Sequence, residues 1–232
     1  MARIVFFSGA GNSAESGLST FRDSGGLWEQ YKIEEICFHG CLEWNRENTL
    51  NFYDNRRAQL ATVEPNNAHY AITALQKKYP KDITIITQNV DDLFERAGSE
   101  YVLHLHGFLP NLRCERCDCI EKIGYVKQER ILTCKRCHGK LRPDIVFFGE
   151  AAPMYEHLYE AMEACEFLVV IGSSGNVVGM DNFALHVKYS ILNNLEPSTA
   201  INEKCYSKVL YKKATEAVDE IVKDVENFLK KV

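Results

Sequence analysis

Hydrophobic residues in this chain gather in short unbroken runs, most of them closed by glycine, serine, asparagine or histidine. Ile4-Val5-Phe6-Phe7 is the first. It is β-branched and aromatic with no polar interruption, which predicts a strand covered on both faces. Residues 82–92 repeat the form, with Ile83, Ile85 and Ile86 running into Gln88-Asn89-Val90-Asp91-Asp92. Residues 101–107 predict a third strand and 144–150 a strand with a turn. Residues 166–175 predict a further buried strand, and 189–194 a late core strand. Elsewhere the spacing changes to threes and fours. Residues 29–78 read as mostly helical, with 47–60 the clearest helix. An asparagine after Pro65 caps the next helix, whose apolar side is Ala71, Ile72, Ala74 and Leu75. Residues 214–232 predict an amphipathic helix with the stripe Val218, Ile221, Val222, Val225, Phe228 and Leu229. Buried strands interleaved with helices imply an α/β fold around a parallel sheet.

The first strand runs into Ser8-Gly9-Ala10-Gly11-Asn12-Ser13-Ala14, a G-x-G-x-x-A turn opening a helix. This order is a dinucleotide-binding fingerprint. Gly9 allows the tight turn, Gly11 lets the backbone approach a pyrophosphate, and Ala14 permits close helix–strand packing. The free N–H groups and dipole of a helix N-terminus favour phosphate. After Gly17 no smooth helix leads to a second strand ending in an acid. Residues 18–28 form a long polar loop instead, and Phe21 and Trp28 within it predict a lid over the nucleotide.

The chemistry-bearing side chains follow the strands. Ligands of open α/β sheets lie at the C-terminal strand ends. There Asn89 and Asp91, two apart, point to one side if the chain stays extended, to hold a ribose or carboxamide. A polar turn with Asp91 or Asp92 as a cap accounts for the same residues equally well. His104 and His106 alternate onto one face, so periodicity does not separate them. His106 is nearer the strand end and precedes Gly107, which makes it the better general base, while a satisfied core histidine suits His104. His69 reads as a packed or capping side chain. Tyr53 and Arg56, three apart on one helical face, could grip a carboxylate. Spacing alone favours a solvated arginine beside a half-buried tyrosine. Gly172-Ser173-Ser174 makes a second Gly/Ser loop suited to ribose or phosphate, or a plain turn.

Cys114-x2-Cys117 and Cys134-x2-Cys137, with 16 residues between the pairs, have the spacing of a zinc ribbon. Four thiolates leave no open position, so the metal is structural. Cys119 and His138 are spare donors nearby. Residues 113–142 hold nine Lys/Arg against four Asp/Glu, which suits a solvated ribbon face better than nucleic acid. The remaining composition supports this picture. At 232 residues and 46% hydrophobic the chain can build a large domain plus a small insert. A net charge of -5 gives no support to a nucleic-acid or membrane partner. The apolar run near residue 4 is too short for a signal peptide. With an odd nine cysteines, this predicts reduced thiols and a cytoplasmic location.

Taken together, these stretches resemble the sirtuin family of NAD-dependent protein lysine deacylases over nearly the whole length. The residues that carry the resemblance are Gly9-Ala10-Gly11-x-Ser13-Ala14-Glu15-Ser16-Gly17, Thr20-Phe21-Arg22, Gly26-Leu27-Trp28 and Thr87-Gln88-Asn89-Val90-Asp91. Leu105-His106-Gly107, the two cysteine pairs, Arg142-Pro143-Asp144-Ile145-Val146 and Asn194-Leu195-Glu196-Pro197-Ser198 complete them. Tyr53-x-x-Arg56 and the compact length look like the bacterial-type subgroup that also removes acidic acyl groups.

The resemblance implies a Rossmann-type NAD-binding domain over 1–28, 79–112 and 143–232. A smaller domain is formed by a helical module (29–78) and a zinc ribbon (113–142). NAD is consumed as a co-substrate: the acyl oxygen attacks the nicotinamide ribose, nicotinamide leaves, and water completes release of lysine and O-acyl-ADP-ribose. His106 is the general base on a ribose hydroxyl. Asn89 and Asp91 assist catalysis, and with Gln88 and Val90 order the ribose and nicotinamide side. Gly9, Ala10, Gly11, Ser13, Ala14, Glu15 and Trp28 belong to the nucleotide site, with Thr20, Phe21 and Arg22 in its lid. Gly172, Ser173, Ser174, Asn194, Leu195, Glu196 and Ala214 hold the adenosine half. Val146, Phe147, Phe148 and Gly149 pair with the peptide substrate as an added strand, and Tyr53 and Arg56 read a succinyl or malonyl carboxylate. The partners implied are acyl-lysine proteins. ADP-ribosyl transfer at the same site, and a nucleic-acid-binding ribbon, are the competing functions. The chain departs from the family pattern at Asn12, Phe108, Ser173 and Gly179-Met180.

Overall fold

The computed structural model describes residues 3–19, 32–128 and 133–230. Its centre is a six-stranded parallel sheet in the order β3-β2-β1-β7-β8-β9. The strands are β1 Ile4–Ser8, β2 Ile83–Thr87, β3 Val102–His104, β7 Phe167–Ile171, β8 Tyr189–Asn194 and β9 Lys208–Tyr211. A smaller antiparallel sheet, β5-β4-β6, is made of β4 Gly107–Cys114, β5 Ile120–Lys122 and β6 Leu141–Ile145.

Strand periodicity sorts the core into two layers. Ile4, Phe6, Ile83, Ile85 and Val169 face one side, against helices Asn67–Lys78 and Ala214–Lys230. Val5, Phe7, Ile86, Leu168 and Val170 face the other, against helices Tyr155–Glu163 and Asp181–His186. Burial on both sides is why these strands read as unbroken apolar runs. The first run pairs in register with both neighbours, Phe6 beside Ile85 on one edge and Val169 on the other.

The helices of residues 33–60 make a third cluster, with Phe52, Tyr53 and Leu60 against Leu109, Ile145 and Phe147. Within helix Arg46–Leu60 a buried Arg57–Asp54 ion pair ties this module to the small sheet. Arg57 donates to the Leu109 carbonyl at 3.4 Å, and Asp54 also accepts from Gln128 N at 2.9 Å. Leu112, Ile123 and Leu141 form a fourth, small core beside the cysteines.

Two expectations need correction. Residues 101–107 are not one strand: β3 ends at His104, Leu105 and His106 turn, and β4 starts the other sheet at Gly107. Gly107 has φ 93°, and a Cβ there would lie 2.0 Å from the Asp144 carbonyl oxygen, so only glycine permits the change of direction. Residues 144–150 are strand only to Ile145, beyond which a loop touches Phe38 through an isolated bridge at Phe148. Helices Tyr155–Glu163 and Asp181–His186, and strand β9, are additional to the predicted elements. The asparagine cap is Asn66, whose side chain accepts from Ala68 N and His69 N. His69 Nδ1 accepts in return from Asn66 N, so His69 is a capping residue as expected. Among the described residues no helix is long and apolar enough to cross a membrane.

Candidate active site

A cavity of about 910 Å³ opens across the C-terminal ends of β1, β2, β7 and β8 and reaches the small domain's helices. Its floor is two glycine loops that lean on one another. Gly9 N donates to the Ile171 carbonyl at 3.0 Å, and Gly11 N to the Gly172 carbonyl at 2.9 Å. A Cβ on Gly9 would sit 2.6 Å from Gly172 O. One on Gly11 would sit 2.8 Å from Gly172 Cα, and one on Gly172 (φ 64°) would sit 2.3 Å from Asn12 N. The bare faces of Gly9 and Gly11 are therefore needed for this loop-on-loop contact. Helix Ala10–Ala14 starts at this crossing, so its N-terminus is presented to the cavity. Asn12 is wholly buried just below, and among the described residues neither of its amide atoms has a hydrogen-bond partner.

Asn89 and Asp91 lie beyond the end of β2, yet they converge on one atom. Asn89 Nδ2 donates to Ser13 Oγ at 2.9 Å and to the Gly9 carbonyl at 3.1 Å; Ser13 Oγ donates to Asp91 Oδ2 at 2.9 Å. Asp91 Oδ1 also accepts from Leu93 N at 3.2 Å, which is the turn-capping bond expected of this residue. Burial raises the Asp91 carboxyl, and the Ser13 hydroxyl pulls it back. Gln88 spans the floor, its amide on Ser173 Oγ at 3.0 Å.

The two histidines separate clearly. His104 is held on both ring nitrogens, by the Asn89 carbonyl at 3.0 Å and Glu95 at 2.8 Å, with Phe108 edge-on at 4.9 Å. Burial opposes its charge, but Glu95 outweighs it and keeps the ring's pKa above the ordinary value. His106 lines the cavity. Its Nδ1 faces the Gln88 carbonyl at 3.0 Å and its Nε2 the Tyr155 hydroxyl at 2.9 Å. Burial lowers its pKa, partly offset by the Gln88 carbonyl, so the ring is neutral near pH 7.

On the small-domain side Tyr53 is buried rather than half-exposed. It is stacked on Phe147 at 5.7 Å, with its hydroxyl 3.4 Å from Cys37 Sγ. Arg56 shares the cavity wall, and its guanidinium donates to Gln59 at 2.9 Å. Burial lowers Arg56, while Asp91 and Tyr53 nearby favour its charge. Val146, Phe147, Phe148 and Gly149 form the adjoining wall. Phe148 N donates to the Cys37 carbonyl and its own carbonyl accepts from His39 N, both at 2.8 Å. Arg142 fixes this loop, bridging to Glu150 while lying 4.1 Å over the Phe147 ring.

At the opposite end Ser173, Ser174, Leu195, Glu196 and Ala214 line the cavity, and Asn194 Nδ2 donates to the Ser173 carbonyl at 2.8 Å. Val90 and Ala14 line it too. Glu15 does so while its two oxygens accept from Thr215 N (3.1 Å) and Thr215 Oγ1 (2.5 Å), capping helix Ala214–Lys230. Thr20, Phe21, Arg22 and Trp28 lie outside the described residues. Sequence reading passed over Cys37, Phe52, Tyr155 and Lys213, all of which line the cavity. Phe52 was signalled only as the neighbour of Tyr53, and Tyr155 by nothing in its surroundings.

The four cysteines Cys114, Cys117, Cys134 and Cys137 bring their sulfurs within 4.8 Å of one another. A tetrahedral zinc with bonds of about 2.3 Å sets its sulfurs about 3.8 Å apart, and Cys117 and Cys134 are 3.8 Å apart. The set fits a structural zinc. Asp118 and His138 take positive φ, 53° and 57°, one residue beyond each pair. There the chain turns back so that Asp118 N bonds Cys114 O and His138 N bonds Cys134 O.

A family model described as the Sir2 family matches residues 9–179. The chain is 46% identical over 231 residues to an NAD-dependent protein deacylase of Campylobacter jejuni, covering 99% of this chain and 98% of that one. Among solved structures, a mutant Sir2 homologue bound to ADP-ribose superposes with TM-score 0.86 at 33% identity, covering 98% of this chain and 93% of the other. A Sir2 homologue in complex with NAD gives 0.85 at 33% identity, covering 97% and 90%. With the glycine-loop crossing, the cavity at the strand ends and the four-thiolate ribbon, these matches show that the chain belongs to the Sir2 family.

Proposed function

We propose that this cavity removes acyl groups from lysine side chains at the expense of NAD, and that Tyr53 and Arg56 extend its range to acidic acyl groups. The observation that supports the core of this reading is the placement of one neutral imidazole, His106, in a cavity floored by a dinucleotide fingerprint. NAD supplies an electrophilic ribose carbon with nicotinamide as leaving group. His106 takes a proton from a ribose hydroxyl at Nε2, with its other nitrogen held by the Gln88 carbonyl. The Asn89–Ser13–Asp91 chain holds the nicotinamide side, and Ser173, Asn194 and Glu196 hold the adenosine half. Phe21 shields the reactive sugar from water. The peptide lies along residues 146–149, which belong with 1–28, 79–112 and the rest of 143–232 to the NAD-binding domain. Residues 29–78 and 113–142 form the small domain, and zinc holds the ribbon in shape without entering the reaction.

The acidic-acyl preference rests on the Tyr53–Arg56 pair, a phenol and a guanidinium on one cavity wall. The Arg56→Met variant tests it. We expect succinyl-lysine turnover to drop on the order of 100-fold, the loss of a charge-assisted pair of hydrogen bonds, and acetyl-lysine turnover to drop far less. Equal losses on both peptides would mean that Arg56 serves Asp91 and the fold rather than the acyl carboxylate.

A further inference from the structure

The base carries a partner that the reaction cannot leave in place. A neutral imidazole has one N–H and one in-plane lone pair. His106 Nδ1 lies 3.0 Å from the Gln88 carbonyl, which only accepts, so the proton is on Nδ1 and the lone pair on Nε2. The Tyr155 hydroxyl lies 2.9 Å from that Nε2. Burial first, and Tyr159 second, push the Tyr155 phenol up, so it remains an O–H donor. Among the described residues this is the phenol's one hydrogen bond. Tyr155 is the first residue of helix Tyr155–Glu163, behind exposed Ala151 and Pro153. Among the charged groups of the cavity wall, Asp91 and Arg56 are engaged with Ser13 and Gln59 and Glu150 with Arg142, and His104 is turned to Glu95. The base's single lone pair is thus occupied, and it cannot accept from a second hydroxyl at the same time.

We propose that Tyr155 is a positioning residue for the base: its hydroxyl holds His106 Nε2 in the free protein and yields that place to a ribose hydroxyl when the nucleotide binds. The proposal rests on the reading of His106 as the general base. Tyr155 keeps the imidazole in one tautomer, with its lone pair toward the cavity, and water is kept off the base until the nucleotide arrives. The phenol takes no proton: it donates to Nε2 before binding, and afterwards its O–H turns to solvent.

The test uses the zinc-loaded full chain, with ADP-ribose as probe. In the wild type the His106 Nε2 nitrogen signal moves on saturation with ADP-ribose as the donor changes. The Tyr155→Phe variant keeps the ring and loses the hydroxyl. Its free His106 signal differs from the wild type, and the two converge once ADP-ribose is bound. Calorimetry gives ADP-ribose binding on the order of threefold tighter in the variant, since one hydrogen bond no longer has to be broken. In turnover the gain falls in KM for NAD. Identical His106 signals and identical affinity in the two proteins would overturn the proposal. So would a tenfold fall in kcat with KM unmoved, which would make the phenol a proton relay. Failure of the parent reading is distinguishable, because there His106→Ala itself would retain NAD-dependent turnover. The wild-type signal alone decides the matter if the variant does not fold.

Discussion

His69 is wholly buried at the third position of its helix, and burial pushes its pKa down to about 3. In the unfolded chain the same group titrates near 6.5. The folded value is depressed, so between these pH values the unfolded state binds a proton that the folded state refuses. The associated stability is present above pH 6.5 and is lost as pH falls toward 3. The loss specific to His69 is about 2 kcal/mol by pH 5. Glutamine at this position keeps a capping-box partner for the Asn66 N–H and cannot titrate. Chemical denaturation at pH 7 and pH 5 is the check: His69→Gln should lose about 2 kcal/mol less than the wild type over that interval. An equal loss would place the acid sensitivity elsewhere. Single residues were legible where a sequence neighbour constrained them. His106 stood out from His104 because Gly107 follows it, and Asn66 because a cap precedes an apolar stripe. Tyr155 stood beside no glycine, cap or motif, and its role comes from a helix that packs across the sheet onto β7. No local pattern encodes that contact.

At the scale of elements, β1 and β7 were readable because both are buried along their whole length and their apolar residues run unbroken over 4–7 and 167–171. Strand ends were not. The chain leaves the large sheet between His104 and Gly107 through a turn fixed by the Asp144 backbone, 37 residues later in sequence. Likewise, residues 146–149 stop pairing because Phe148 turns to Cys37 and His39. The crossing of the two glycine loops is the element-level feature most open to test. Gly172→Ala places a Cβ 2.3 Å from Asn12 N at φ 64°, against backbone that cannot swing aside. Gly40→Ala meets nothing within 4 Å, although φ there is 83°. The Gly40 variant should lose only the cost of a left-handed alanine, about 1–2 kcal/mol. The Gly172 variant should lose more than this and should also lose NAD affinity, because the fingerprint loop is displaced with it. Thermal unfolding and NAD titration of the two variants decide this, and equal behaviour would remove the crossing as a constraint on the site.

For the molecule as a whole, two architectures meet at one cavity. A parallel sheet brings strand ends, and hence the nucleotide floor, to one edge. An antiparallel ribbon and a helical module supply the opposite wall. Among the described residues the cysteine cluster has three buried aliphatic side chains beside it, Leu112, Ile123 and Leu141, a small core for three short strands. Zinc therefore acts at this scale, by fixing the ribbon whose β4 carries Gly107 and whose β6 leads into residues 146–149. The spacing of the cysteine pairs made the ribbon legible from sequence. That Arg57 and Asp54 clamp the helical module onto it was not, because an internal ion pair at spacing three looks like any exposed one.

The central claim is tested most directly by incubating the zinc-loaded protein with matched acetyl-lysine and succinyl-lysine peptides, with and without NAD. Both peptides are followed by mass spectrometry, and the His106→Ala variant runs in parallel. The account predicts acyl loss only with NAD, on both peptides, and none with the variant although its zinc is retained. Peptides that keep their acyl groups while protein acquires label from NAD would contradict it and assign the site to ADP-ribosyl transfer.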